Sequence, residues 1–392
     1  MPPSMPELDE HGFPVPPTFD DPEARRRRSE WLGYTWQVGL VLVFIVLLAG
    51  WVFRSGLGEG LNDFIAGRLV DRAEDKLRFG DLAGALTDLE RAAQWAPANA
   101  DIFQARAQLK FQTNDLEGSI HDFDRVIELA PRNVRAYLGR SIAYERLGRH
   151  AEAIDDVTKA IGMAPDEPDL YELRAQLKIE NKDVEGSLKD YERLIQVSPK
   201  RSSAYLGRSV VYQRLQRHRE AIDDLTKAIE LDPDHATPRN NRAYARAIAG
   251  VELEAAFSDV ERAIALIDRE IANVAGVAGG AQGLKREIAK INAQKAAYLD
   301  TRGYLYFLQN EPELALKDLN SAIELSLDWQ AIQMPDVRPD QRAATQEMFD
   351  RNLSVMYHHR GQVLEKLDRH DEAKSDLDRG DKLGYNPAEG VF

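Results

Sequence analysis

Arginine and aspartate recur in register along most of this chain. Arg72, Arg106, Arg140, Arg174, Arg208, Arg242, Arg302 and Arg360 are followed by Asp88, Asp122, Asp156, Asp190, Asp224, Asp259, Asp318 and Asp376. The offset is sixteen residues, and seventeen once. A row of guanidinium groups could form a ladder for anionic ligands. A carboxylate at constant offset from each could instead neutralise it, fixing the register of two elements more than adding net stability. Equal numbers and a constant offset favour pairing.

The other reactive groups point the same way. His150, His218 and His370 recur at one place in the pattern, each directly after an arginine. Metal ligands must converge within a few ångströms, whereas units two apart in a stack of helices stand roughly 20 Å apart. These histidines read as turn residues. His358 and His359 are adjacent on one helix pattern, so their side chains diverge. The run GVAGGAQGLK (276–285) lacks the GK[ST] ending of a phosphate loop and follows a helix pattern, so it reads as the tip of a helical hairpin. The chain has no cysteine, which excludes disulfides and thiolate chemistry. Its formal charge of −14 is the wrong sign for a phosphate backbone, so no nucleic-acid partner is expected. No nucleophile–base arrangement or paired-carboxylate site stands out. The expectation is no catalytic, cofactor-binding or metal-binding residue and no small-molecule substrate.

The elements that carry the arginines and aspartates have a period. Pro97, Pro131, Pro165, Pro199 and Pro233 fall thirty-four residues apart. An internal period of that size marks stacked supersecondary units, here helix, short polar turn, helix, then a proline that stops the second helix. With that proline as position 32, position 8 is small: Ala73, Ala107, Ser141, Ala175, Ser209 and Ala243. Position 20 is small too: Ala85, Ser119, Ala153, Ser187, Ala221 and Ala256. Small residues on facing helices let the backbones approach, and apolar residues at position 24 (Leu89, Phe123, Val157, Tyr191, Leu225, Val260) fill the space beside them. Two further copies place Gly303 with Ala315 and Gly361 with Ala373 at the small positions. Units 100–167 and 168–235 agree at 36 of 68 positions, so a two-unit block was duplicated.

This pattern resembles the tetratricopeptide repeat family: small residues at 8 and 20, apolar 24, proline at 32, and an aromatic at 4 (Phe103, Tyr137, Tyr171, Tyr205). Position 11, commonly tyrosine there, is Tyr144 and Tyr212 here but Lys110 and Lys178 in the units before them. The resemblance implies an all-α, right-handed α-solenoid of about eight hairpins that binds proteins. Repeats 1–6 are placed at 66–270, repeat 7 at 296–329 and repeat 8 at 354–392 with a polar end, which a stack needs to stay soluble. Insertions are placed at 271–295, as an extended helical hairpin, and at 330–353.

Before the array the chain changes character. Residues 1–30 form a Pro-rich tail with a basic run, Arg25 to Arg28, and too little apolar surface to order. Residues 31–53 carry no charge and are long enough to cross a bilayer as a single transmembrane helix. A cleaved signal peptide is the alternative, but the leading segment is long and no small-x-small site follows. Residues 54–65 are read as the linker and the start of the first helix. The four arginines before the span, against Arg54 after it, place the N-terminus in the cytoplasm and the array outside it, on the periplasmic side in a bacterium.

The function expected is a non-enzymatic, membrane-anchored scaffold or assembly factor for partner proteins. The alternatives are an enzyme or enzyme-regulating subunit with its site in the insertions, and the same scaffold facing the cytosol. In the family the first helices line the binding groove. Carried onto this chain, positions 5 and 9 give Gln104 and Gln108, Leu138 and Ile142, Glu172 and Gln176, Leu206 and Val210, and Asn240 and Tyr244 as groove residues. Polar and apolar bands alternate, which suits an amphipathic helix or extended segment. The lysine–asparagine clamp that some relatives use for a peptide carboxylate is not reproduced.

Overall fold

The computed structural model describes residues 57–276, 281–339 and 341–385, and no strand occurs among them. The chain divides into two compact units, 1–131 and 132–392. In the first, α1 (Leu57–Arg78) pairs with α2 (Leu82–Trp95), and α3 (Ala100–Gln112) with α4 (Leu116–Leu129). In the second, the pairs are α5 (Val134–Arg146) with α6 (His150–Met163), α7 (Pro168–Glu180) with α8 (Val184–Val197), and α9 (Ser202–Arg214) with α10 (His218–Leu231). There follow α11 (Ala236–Ala249) with α12 (Leu253–Ala275), α13 (Ala281–Leu308) with α14 (Pro312–Gln333), and, after a short 3₁₀ turn (Met334–Asp336), α15 (Arg342–Lys366) with α16 (His370–Lys382). Within each unit, one hairpin stacks on the next. The expected tail and the span at 31–53 lie outside the described residues. Among the described residues no helix is long and apolar enough to cross a membrane.

The small residues do what close packing requires. Those at positions 8 and 20 are fully buried, and Ser119 at position 20 reaches the position-8 carbonyl of Ala107 at 2.8 Å. At Gly303 even a methyl group would stand 3.2 Å from the Ala315 carbonyl and closer still to Leu319. Leu89, Phe123, Val157, Tyr191, Leu225, Val260 and Leu319 seal the adjacent layer. Burial of these methyl-rich faces is the main stabilising term.

Each hairpin reverses at position 15 with a residue in the left-handed region: Gly80, Asn114, Gly148, Lys182, Gln216, Gly250, Asn310 and Asp368. Glycine and asparagine adopt it readily, whereas Lys182 and Gln216 are held there by the hairpins they close. Six of these eight turns take one of two chemical forms. In one, Asp81, Asp115 or Asp183 caps the second helix by accepting from the amide of Gly84, Gly118 or Gly186. In the other, Arg149, Arg217 or Arg369 bridges Glu152, Glu220 or Glu372 at 2.7–2.9 Å.

Successive hairpins are also tied through polar groups. The hydroxyls of Tyr171 and Tyr205 donate to the carbonyls of Pro165 and Pro199, at 2.8 and 3.0 Å. The period-34 proline therefore stops one helix and presents its carbonyl to the next.

Candidate functional site

The recurrent arginines are consumed inside the fold. All eight meet their aspartates as two-bonded bridges across the hairpin, Nε to one carboxylate oxygen and Nη2 to the other. Arg140 donates to Asp156 at 2.7 and 2.6 Å, Arg208 to Asp224 at 2.7 Å twice, and Arg302 to Asp318 at 2.6 and 2.9 Å. Arg72–Asp88, Arg106–Asp122, Arg174–Asp190, Arg242–Asp259 and Arg360–Asp376 repeat the geometry. The remaining nitrogen of three of them reaches the preceding hairpin: Arg174 to Thr158 at 3.1 Å, Arg242 to Thr226 at 2.9 Å, Arg360 to Asn320 at 2.8 Å. A guanidinium with its fork filled and its third edge engaged is a structural clamp, not a ligand ladder.

The lysines at position 11 serve the same carboxylates. Lys76, Lys110 and Lys178 stand 2.8–2.9 Å from Asp88, Asp122 and Asp190, and each also reaches the carbonyl of the turn glycine. The bonds from Arg72 and Lys76 hold the Asp88 carboxyl down to about 2, against the rise that burial would give. At Asp122 burial works against the charge, and Arg106 with Lys110 outweighs it, so its pKa also falls. Where Tyr144 and Tyr212 replace the lysine, Arg149 and Arg217 stack over their rings at 4.4 and 4.6 Å.

The turn histidines do not gather. His150 faces Glu180 at 3.2 Å and His370 faces Glu365 at 3.1 Å. Among the described residues no group of three His, Asp or Glu side chains could hold a metal. His358 and His359 do diverge. His358 stacks on Tyr385 with ring centres 3.7 Å apart, and burial lowers its pKa. His359 is buried, its Nδ1 3.0 Å from both oxygens of Asp300 and its ring on Tyr304 at 4.6 Å. This pair joins the long helices α13 and α15. Its partners are 59 residues apart and outside the period, so the spacing did not announce it.

The groove residues fall into three groups. On α3, in the first unit, Gln104 is half-buried and Gln108 exposed. In the second unit, Leu138, Leu206 and Val210 are half-buried and Ile142 is 40 % exposed, at equivalent positions of α5 and α9. Between them on α7, Gln176 is exposed, while Glu172 is engaged by Arg201 at 2.5 Å. Asn240 and Tyr244 on α11 do not lie open: they are 1 % and 8 % exposed. The lengthened α13 packs against α11 there, with Tyr298 and Thr237 sharing a hydrogen bond at 3.1 Å. Asn240 instead lines a cavity among α11, α13, α14 and α15.

Three tetratricopeptide-repeat family models match residues 104–168, 202–235 and 355–383. The chain carries tetratricopeptide repeats. One solved structure similar to it is the C-terminal part of a tetratricopeptide-repeat protein from Cytophaga hutchinsonii. It is 13 % identical with a TM-score of 0.50, over 65 % of this chain and 95 % of that one, and it shares the fold. Curated relatives match over shorter segments. A UDP-N-acetylglucosamine–peptide N-acetylglucosaminyltransferase of Giardia intestinalis is 34 % identical over 101 residues, 25 % of this chain and 7 % of that protein. Sperm-associated antigen 1 of Mus musculus is 30 % identical over 88 residues, 22 % of this chain and 10 % of that protein. The matched segment thus spans a tenth or less of either relative.

Proposed function

We propose that this chain is a non-catalytic scaffold that holds partner proteins on its tetratricopeptide repeats and is fixed to a membrane through residues 31–53. The observation that carries the binding reading is the fate of the repeated side chains. The arginines and aspartates are spent on internal bridges, whereas Leu138, Ile142, Leu206 and Val210 stay accessible at matching positions of two hairpins. Apolar side chains kept at the surface in register, with polar Gln176 between them, suit the apolar anchors of an amphipathic helix or extended segment.

Leu138→Asp and Leu206→Asp should each weaken capture of a partner isolated on the full chain, with helical content and melting temperature little changed. Normal capture by both variants would move the site elsewhere on the molecule. The membrane part rests on the uncharged run from Trp31 to Phe53 and the arginines before it. An alkaline phosphatase fused to the C-terminus should be active in cells. An inactive phosphatase, with an active cytoplasmic reporter at the same point, would place the array in the cytosol.

A further inference from the structure

The outer face of α1, where the described hairpins begin, changes character along its length. Where later hairpins stack, positions 3 and 10 of the first helix are apolar and buried: Ile102 and Leu109 are 3 % and 2 % exposed, Leu170 and Leu177 2 % and 1 %. In the first hairpin the same positions are Arg68 and Asp75, both exposed. Charge closes that part of the face to stacking, as the end of a repeat array requires. Earlier on the same face stand Leu61 and Phe64, 54 % and 66 % exposed. Residues three, four and seven apart share one side of a helix, so Leu61, Phe64 and Arg68 form one stripe, with Asp63 turned away from it. The antiparallel α2 ends at the same level. From the Arg72–Asp88 bridge, seven residues back along α1 reach Ile65, and seven forward along α2 reach Trp95, itself 45 % exposed. This end of the hairpin is apolar and aromatic, although the face beyond it is charged.

We propose that this end of the first hairpin rests on the surface of a phospholipid bilayer, Leu61 and Phe64 reaching the acyl boundary and Trp95 standing at headgroup level. The contact deepens the reading of residues 31–53 as a membrane span and rests on it. The uncharged run ends at Phe53, and Arg54, Ser55 and Gly56 alone separate it from α1. Those residues carry the chain at most about 14 Å. Phe64 lies about 10 Å further on, at 1.5 Å per helical residue. The chain itself therefore keeps the apolar stripe within reach of the lipid. An exposed apolar helix face beside a bilayer gains by entering the interface, to a depth of about 5–10 Å. Tryptophan suits that layer because its ring is apolar and its N–H polar. Arg68, one turn after Phe64, lays its stem along the boundary and brings its guanidinium to a lipid phosphate. A second copy of this chain fits less well. Leu61, Phe64 and Trp95 fall far short of the roughly 800 Å² that each partner of a stable complex buries. The formal charge of −14 does not draw the chain to anionic lipid, so apolar insertion holds the contact.

The chain has no cysteine, so one introduced at a chosen position carries a single environment-sensitive fluorophore. The full chain is labelled at Leu61→Cys, Asp75→Cys or Leu42→Cys and reconstituted into phosphatidylcholine vesicles. Each is measured with and without lipids bearing a nitroxide quencher, placed high on the acyl chain or near its end. The label at 61 should lose most of its emission to the shallow nitroxide, and the label at 75 should keep its own. The label at 42 should be quenched by the deep nitroxide. Adding Phe64→Asp or Trp95→Asp to the chain labelled at 61 should each restore emission, with helical content unchanged, since both side chains are exposed. Quenching at 42 without quenching at 61 overturns the proposal and leaves the span in place. No quenching at 42 removes the span, and the proposal with it. Equal quenching at 61 and 75, or quenching at 61 that neither aspartate variant reduces, overturns the apolar contact. A blue-shifted label at 61 that lipid nitroxide does not reach overturns it too, because protein then covers the face. Reversal of that shift on dilution with lipid would identify the cover as a second copy.

Discussion

Replacing Arg140 with leucine should cost more than replacing Arg174, although both make the same bridge. Asp156 is 2 % exposed and takes two bonds from Arg140. With Arg140 gone, the cation in reach is Lys159, 3.7 Å away on an exposed side chain. Removing one partner of a buried ion pair costs about 3–5 kcal/mol, because the remaining charge is left uncompensated. Asp190 is equally buried, but Lys178 Nζ stands 2.8 Å from it. Arg174→Leu therefore removes charge-assisted bonds without stranding the carboxylate, a loss of about 1.5–3 kcal/mol. The difference between the variants should be about 2 kcal/mol, the gap between the middles of those two ranges. Stacked hairpins unfold as neighbour-coupled units, so the assay is urea denaturation combined with hydrogen exchange of the α5–α6 and α7–α8 amides. Adding Tyr144→Lys to Arg140→Leu puts a lysine where Lys178 sits in the other form and should recover part of the loss. Equal losses in the two single variants, or no recovery by the lysine, would refute the idea that position 11 supplies the second counter-charge.

Gln216→Gly and Lys182→Gly should each stabilise the chain by about 1 kcal/mol by relieving a left-handed conformation, read as a rise in urea midpoint. Gly148→Ala should lower it by a similar amount. Acid should loosen the first two hairpins: the folded pKa values of Asp88 and Asp122 lie below 3.8, so the unfolded chain binds more protons in acid. The stability they contribute is full above about pH 4 and, for Asp88, is lost as pH falls through about 2. Hydrogen exchange of α1–α4 across that window measures it, and Arg72→Leu should flatten the Asp88 part.

The hairpin architecture was legible because its constraints repeat. A small residue must stand wherever two backbones meet, and a clamp must carry equal charges at a fixed offset, so Ala153 and Asp156 have counterparts in every unit. Position 15 repeats as strictly in conformation but not in residue type. Lys182 and Gln216 disguise a backbone rule that Gly80 and Gly148 display. The role of position 11 was hidden for a related reason: lysine there reads as a departure until the buried aspartate beside it is seen. Asn240 shows where periodic reasoning stops. Its place in the repeat assigns it to an open face, but α13, starting outside the register, covers that face. Contacts such as Asp300 with His359 belong to the lengthened helices and leave no trace in the period.

On the proposed function, partners lie on the first-helix face at positions 5 and 9. A photo-crosslinking amino acid placed at Leu138, Leu206, Lys159 or Lys227 of the full chain in cells reads that contact without disturbing it. Lys159 and Lys227 are exposed on second helices and serve as controls. Irradiation should give discrete protein adducts from positions 138 and 206, lost with Ile142→Asp and Val210→Asp respectively, and none from 159 or 227. Adducts confined to 159 and 227, or none from any position, would contradict the account.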